Sequence, residues 1–293
     1  MPQVLVVGLL EQDSGKTVVA TAIAKELKGR GFDVGVSKPI AGHSAWYQFS
    51  TVEESRRKRM LIGEDALKLY EAAQVEDPLE LVSPVDVLTA PPDPEILRWR
   101  TELYHSLIGN ITSVGVLARV SKLHKGVAET VHMVVEESLE RVSAPLRREI
   151  EELVDLLEPR PVKITSKQLE ELLALEAERI ADAAVAELSK KHEVLVIESF
   201  NDAAAPCSEA LKSLAVVLVA PGRMAVYAGE KYAKACEALL GLKHALRTRD
   251  LAPLLKPIYT QPTPVKQRGD KLAEAVQKLV DLLEKKLEKR REG

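Results

Sequence analysis

Gly15-Lys16-Thr17 places a small residue, an ammonium and a hydroxyl where an apolar segment, Val4 to Val7, gives way to a stretch with helical spacing. Free N–H groups at the start of a helix, with the positive end of its dipole, favour a polyphosphate at such a junction. Glycine lets the main chain approach the phosphates, lysine neutralises the outer two, and threonine offers its hydroxyl to magnesium. The residues expected around the phosphates are Gly8, Asp13, Ser14, Gly15, Lys16, Thr17 and Val18. Gly8 and Gly15 enclose six residues, whereas the usual loop of this kind encloses four.

Three further positions bear on that chemistry. Glu198 follows the apolar run Val194 to Ile197, and α/β sheets place ligands at the carboxyl ends of their strands, so its carboxylate is expected to hold magnesium directly or through water. Lys38 ends a second apolar run, where its charge reaches a γ-phosphate or an anionic substrate. Arg223 follows Pro221-Gly222 at another strand end and is the candidate for the base or ribose. Asp13 suits either a contact to metal or substrate or a cap on the helix.

These residues need a scaffold. Val18, Val19, Ala22, Ile23 and Leu27 recur at helical spacing, and Gly29 and Gly31 end that helix before a strand at Val34 to Val36. Lys38-Pro39 stops the strand and opens a loop, Ala41 to Ser50. Strands are also expected at Val194 to Ile197 and Val216 to Ala220, with a helix from about Val226 to Leu240, an apolar segment from Leu254 to Tyr259 and a charged helix at the end. Strands alternating with helices predict an α/β fold of the P-loop NTPase kind, a mostly parallel sheet with helices on both faces.

The middle of the chain reads as helix at Gly63 to Ala73, extended at Leu79 to Leu88, loop around Pro91, Pro92 and Pro94, and strand at Ser113 to Ser121. Val135 to Leu157 and Ser166 to Lys190 read as long amphipathic helices. The expectation is one domain over residues 1–293, with a mostly helical insertion at about 95–190.

The order Gly8 to Thr17, Lys38-Pro39-Ile40, Glu64-Asp65-Ala66-Leu67 and Glu198-Ser199-Phe200-Asn201-Asp202 resembles the dethiobiotin synthetase family. That family carries G-T-D-T-x-V-G-K-T at the phosphate loop, K-P-V after the second strand, an S-D-A-L-like segment and E-G-A-G-G after a later strand. The resemblance implies ATP and Mg2+ as ligands, Asp65 as a metal ligand beside Thr17 and Glu198, and Lys38 as an assistant to phosphoryl chemistry. The chain departs from the family at Gly42, His43 and Ser44, where a serine is expected four residues after the lysine, and Trp46, Tyr47 and Phe49 follow closely. In a chain with 4% aromatics, this cluster suggests a substrate loop built on Gly42, His43, Ser44, Trp46 and Tyr47, with an aromatic plug as the alternative. The family's base-reading asparagine has no counterpart near Leu254 to Tyr259, which leaves ATP or GTP open.

The net charge of −3 argues against a general nucleic-acid coat. Cys207 and Cys236 lack the paired spacing of zinc or redox sites, and no window matches a membrane span or a leader, so a soluble cytoplasmic protein is expected. Asn occurs only at 110 and 201 amid abundant Glu, Lys and Arg, a thermophile's bias. The expected activity is magnesium-dependent nucleotide hydrolysis with phosphoryl transfer or ligation on a small acceptor, as in a kinase or ligase. A nucleotide-dependent switch acting on a protein partner is the alternative, and a homodimer stays open.

Overall fold

The computed structural model describes residues 2–240, 246–263 and 270–291. Its strands, in chain order, are β1 (Gln3–Gly8), β2 (Val34–Ser37), β3 (Ile40–Ser44), β4 (Val85–Thr89), β5 (Gly115–His124), β6 (Val127–Val135), β7 (Val162–Ile164), β8 (Val194–Glu198), β9 (Ala215–Ala220), β10 (Arg223–Ala228) and β11 (Tyr259–Pro262). The fold is α/β with two mixed sheets, and the chain divides into two compact units. The first comprises residues 1–39, 68–82 and 184–293, and the second residues 40–67 and 83–183.

The first unit is built on a six-stranded sheet in the order β11-β10-β9-β1-β8-β2. β1, β2, β8 and β9 run parallel, with Val4 opposite both Val196 and Ala215. Their near-continuous apolar sequences are those of strands buried on both faces. The helix Lys16–Gly29 buries Val19, Ala20, Ile23, Ala24 and Leu27 on one stripe, with Val276, Leu279, Val280 and Leu283 of the helix Asp270–Arg291 in the same core. It ends where Gly31 adopts φ 87°, letting Gly31 N–H bond Lys28 O and Phe32 N–H bond Leu27 O.

Two expectations change here. Pro221-Gly222 leads into the antiparallel hairpin β9–β10 rather than a helix, and the helix begins only at Gly229. Gly222 takes the positive φ of the turn, and the apolar residues of Arg223–Ala228 serve a strand as well as a helix, so their spacing does not discriminate. The sheet is accordingly mixed, with β10 antiparallel to both its neighbours and β1, β2, β8 and β9 parallel.

At the amino edge of this sheet His192 lies between two carboxylates, with Nδ1 3.0 Å from Asp33 and Nε2 2.7 Å from Asp77. Lys191 Nζ lies 3.7 Å from Asp77, and Glu193 accepts from the Asp33 amide. Burial lowers the pKa of the ring, but its bonds to Asp33 and Asp77 outweigh that and hold it above the ordinary value. The resulting stability is complete below the unfolded pKa of about 6.5 and is lost as pH rises through the raised folded value. Relative to His192→Gln, the wild type is expected to be about 1 kcal/mol more stable at pH 6. In urea unfolding that advantage shrinks at alkaline pH, and a constant difference from pH 5.5 to 9 would contradict a charged clamp.

The second unit holds a five-stranded sheet in the order β3-β4-β5-β6-β7, parallel at both ends and antiparallel between. The expected loop Ala41 to Ser50 is β3, a turn and the start of the helix Ser50–Lys58. The region expected to be mostly helical contains β5, β6 and β7, and its two long helices are interrupted. Val135 ends β6 before the helices Glu136–Leu139 and Ala144–Leu156, while Ser166–Leu175 and Ala177–Lys191 are separate. β5 and β6 form a hairpin through Lys125 and Gly126, both at positive φ, which suits the twist of a tight hairpin turn. One apolar cluster joins Leu88, Leu117 and Val134 to Leu146, Ile150 and Leu153, and another joins Val85, Val87, Ala118, Val120, Met133 and Val135 to Leu169 and Ile180.

A buried polar network crosses this unit. The Arg119 guanidinium donates to Leu61 O at 2.7 Å, Ser83 O at 2.6 Å and Ser121 Oγ at 2.9 Å. His132 Nε2 accepts from the Leu61 amide at 3.2 Å, which leaves Nδ1–H to donate to Pro159 O at 3.0 Å and defines a neutral tautomer. Burial lowers the His132 pKa and the charge of Arg119 adds to the shift, giving about 4 despite the opposing Pro159 bond. Protonating the ring costs stability: the contribution is present above about pH 6.5 and is lost as pH falls toward 4. After allowance for solvent screening the loss is about 2 kcal/mol. His132→Gln should flatten the stability profile between pH 6.5 and 4.5, and an unchanged slope in urea unfolding would exclude this histidine as its source.

Candidate phosphate and metal site

β1 delivers the chain to Gly8 at the carboxyl edge of the first unit's sheet, where β2 and β8 also end. Residues 9–15 then fold back over Gly8. A Cβ on Gly8 would fall 2.3 Å from Ser14 Oγ and 2.8 Å from Lys16 Nζ, so a side chain there would displace the Ser14 hydroxyl and the ammonium from their present places. Gly15 precedes the helix at φ 89°, the left-handed region that favours glycine. Ser14 and Lys16 are both buried, and Lys16 Nζ donates to Ser14 Oγ at 3.2 Å.

No side chain caps the helix Lys16–Gly29, and its first turn contains no acid. The amides of Lys16, Thr17 and Val18 are therefore the donors that a helix start leaves without an intrahelical partner. Asp13 was open as a cap or as a contact to metal or substrate. It is exposed, at φ 53°, and does not cap. The loop enters the helix through Gly15, whose own φ turns the chain.

Thr17, Lys38 and Glu198 converge on one atom. Thr17 Oγ1 donates to Glu198 Oε1 at 2.8 Å, and Lys38 Nζ donates to the same oxygen at 2.7 Å and to Ser199 O at 3.0 Å. Glu198 is fully buried and Lys38 3% exposed. A carboxylate so enclosed requires a counter-charge, and Lys38 provides it. Lys38 is positioned from both sides: its amide donates to Val82 O at 2.8 Å, and Pro39 ends the strand immediately after it.

The rim contains residues that sequence reasoning passed over. Arg247 Nη1 bonds Asp202 Oδ1 at 2.5 Å and Glu11 Oε1 at 2.6 Å, tying the segment after β8 to the phosphate loop. Thr248 Oγ1 donates to Gly8 O, and its amide donates to Asp202 O at 2.8 Å. Asp202 stood in the quoted Glu198 to Asp202 segment without a role. Arg247 and Thr248 belong to no recognisable motif, so nothing in the sequence signalled them.

Magnesium fits the donor chemistry at Thr17 and Glu198, one hydroxyl oxygen and one buried carboxylate at the edge of a phosphate loop. Among the described residues no group of three or more His, Cys, Asp or Glu could hold a metal. The remaining ligands would have to be phosphate or water oxygens, as is usual for this cation.

Arg223 stands exposed at the start of β10, its Nη1 3.5 Å from Thr260 Oγ1. Asp65 and residues 42–47 belong to the second unit. Asp65 occupies the first turn of the helix Glu64–Ala73. Gly42 and Ser44 lie on β3, while Trp46 and Tyr47 are 62% and 77% exposed. His43 is buried: Nδ1 lies 2.7 Å from Thr51 Oγ1, and Nε2 faces Asp86 Oδ1 at 3.3 Å. Burial alone would raise the Asp86 pKa, but His43, Arg119 and the Gly63 amide together lower it. In this arrangement His43 serves an internal pair.

Cys207 and Cys236 are buried, and burial pushes the Cys236 thiol up to about 12. No helix among the described residues is long and apolar enough to cross a membrane. In comparisons with known proteins, the chain matches no family model and no curated protein.

Proposed function

We propose that the first unit is a P-loop nucleotide-binding unit and that the protein is a magnesium-dependent nucleoside triphosphatase acting on a small acceptor. The observation that carries this reading is the buried Lys16 ammonium folded over Gly8, beside Thr17 on Glu198. A polyphosphate would meet the amides of Lys16 to Val18, with Lys16 and Lys38 as two cations against its outer oxygens. Thr17 and Glu198 would hold Mg2+, which supplies charge neutralisation to the β- and γ-phosphates. The chain's own part is to orient the triphosphate and keep Lys16 and Lys38 against the developing charge.

The likeness of the Gly8 to Thr17, Lys38-Pro39-Ile40 and Glu198 segments to dethiobiotin synthetase points to transfer of the terminal phosphoryl to a small acceptor. An acceptor oxygen of a carboxylate, carbamate or hydroxyl would form the new O–P bond as the bond to the departing diphosphate breaks. A metabolite-pool screen of Mg-dependent phosphate release tests the assignment, run beside the dethiobiotin precursor. Stimulation by one small molecule supports it. Hydrolysis indifferent to every metabolite but accelerated by a protein would replace it with a nucleotide switch.

A further inference from the structure

The arrangement around Glu198 has a feature beyond the triphosphatase reading, on which it nevertheless rests. Thr17, expected to hold the cation, and Lys38, expected to act on the phosphates, both donate to this carboxylate. Thr17 Oγ1–H donates a hydrogen bond to Oε1 at 2.8 Å, and the Lys38 ammonium donates one to the same atom at 2.7 Å. The hydroxyl spends its one hydrogen on Glu198 and keeps its lone pairs, so the ammonium rather than Thr17 competes with a cation for that oxygen. The ammonium at 2.7 Å is the positive charge that a cation at Oε1 would have to displace.

We infer that Lys38 is a built-in placeholder for the metal: it neutralises Glu198 while the site is empty, and yields that oxygen to a divalent cation arriving with the triphosphate. The arrangement lets the chain bury Glu198 without metal, since the charge is already compensated. It also makes the cation alone a poor ligand, because it must displace the ammonium from Glu198 Oε1. Triphosphate oxygens attract the displaced ammonium, so metal and nucleotide bind cooperatively, with Lys38 passing from Glu198 to the phosphates. Lys38 also donates to Ser199 O, and Ser199 Oγ donates to Ala203 O at 2.9 Å. Its departure therefore frees the Ser199 carbonyl, while Arg247 and Thr248 still hold Asp202 in the segment that follows β8.

The placeholder effect of Lys38 is read in metal binding without catalysis. Mg2+ alone is titrated calorimetrically into the wild type, Lys38→Met, Lys38→Gln and Lys38→Arg, and unfolding temperatures are recorded with and without Mg2+. The neutral variants should bind Mg2+ at least about 10-fold more tightly than the wild type and gain more thermal stability from it, whereas Lys38→Arg should not. Equal or weaker Mg2+ binding by the neutral variants would overturn the placeholder. If neither neutral variant folds, the wild type decides the matter through the Lys38 ammonium signal of 15N-lysine-labelled protein. That signal should move when Mg2+ and a non-hydrolysable triphosphate are added together, and a signal unmoved at saturation would overturn the inference. Triphosphate titration of the wild type keeps the two claims apart: absence of nucleotide binding defeats the triphosphatase reading, while nucleotide binding with an unmoved Lys38 defeats only the placeholder.

Discussion

Replacing Lys16 with alanine should lower triphosphate affinity at least about 100-fold, equivalent to roughly 3 kcal/mol of charge-assisted bonding. The fold should survive. The ammonium rests over Gly8 and on Ser14 within its own loop, whereas the sheet and the helix Lys16–Gly29 are held by apolar side chains. The unfolding temperature should stay within about 3 °C of the wild type. Fluorescent-nucleotide titration beside thermal unfolding checks both halves. Unchanged affinity would remove the phosphate loop as a ligand site, and a collapsed fold would show that Lys16 serves the core.

Glu198→Gln should reduce Mg-dependent turnover on the order of 100-fold while changing metal-free nucleotide binding by less than about 3-fold. The substitution preserves shape and removes only the charge that Thr17 and Lys38 address. The Lys38 ammonium then lacks its buried counter-charge, so the variant should also unfold more easily. Assays therefore belong well below its unfolding midpoint. The decisive readout is phosphate release as a function of Mg2+ concentration. A variant with the wild-type metal dependence would place Glu198 outside the metal site, whatever its effect on stability.

Part of the scaffold was legible because it depends on local patterns. Uninterrupted apolar runs such as Val4 to Val7 and Val194 to Ile197 have no stable place except within a covered sheet, and the stripe through Val19, Ile23 and Leu27 requires a helix of matching period. The stretch from Ala41 to Ser50 misled because Pro39 ends the strand before it but does not bar a new strand from starting at Ile40. Pairing with β4 makes this segment a strand, and a partner more than 40 residues away leaves no mark on local periodicity. Arg223 to Ala228 shows the same limit, since its register against Ala215 to Ala220 sets its conformation.

The sequence by itself determined the groups available for chemistry: a glycine, an ammonium and a hydroxyl at a strand-to-helix junction, with a lysine and a glutamate each ending an apolar run. Only the tertiary structure decided that Thr17, Lys38 and Glu198 share a single oxygen, that Arg247 ties Glu11 to Asp202, and that His43 turns toward Asp86. The physical reason is distance along the chain. Backbone periodicity acts over a few residues, whereas Lys38 and Glu198 are 160 positions apart and meet through the register of parallel strands that crossovers bring together.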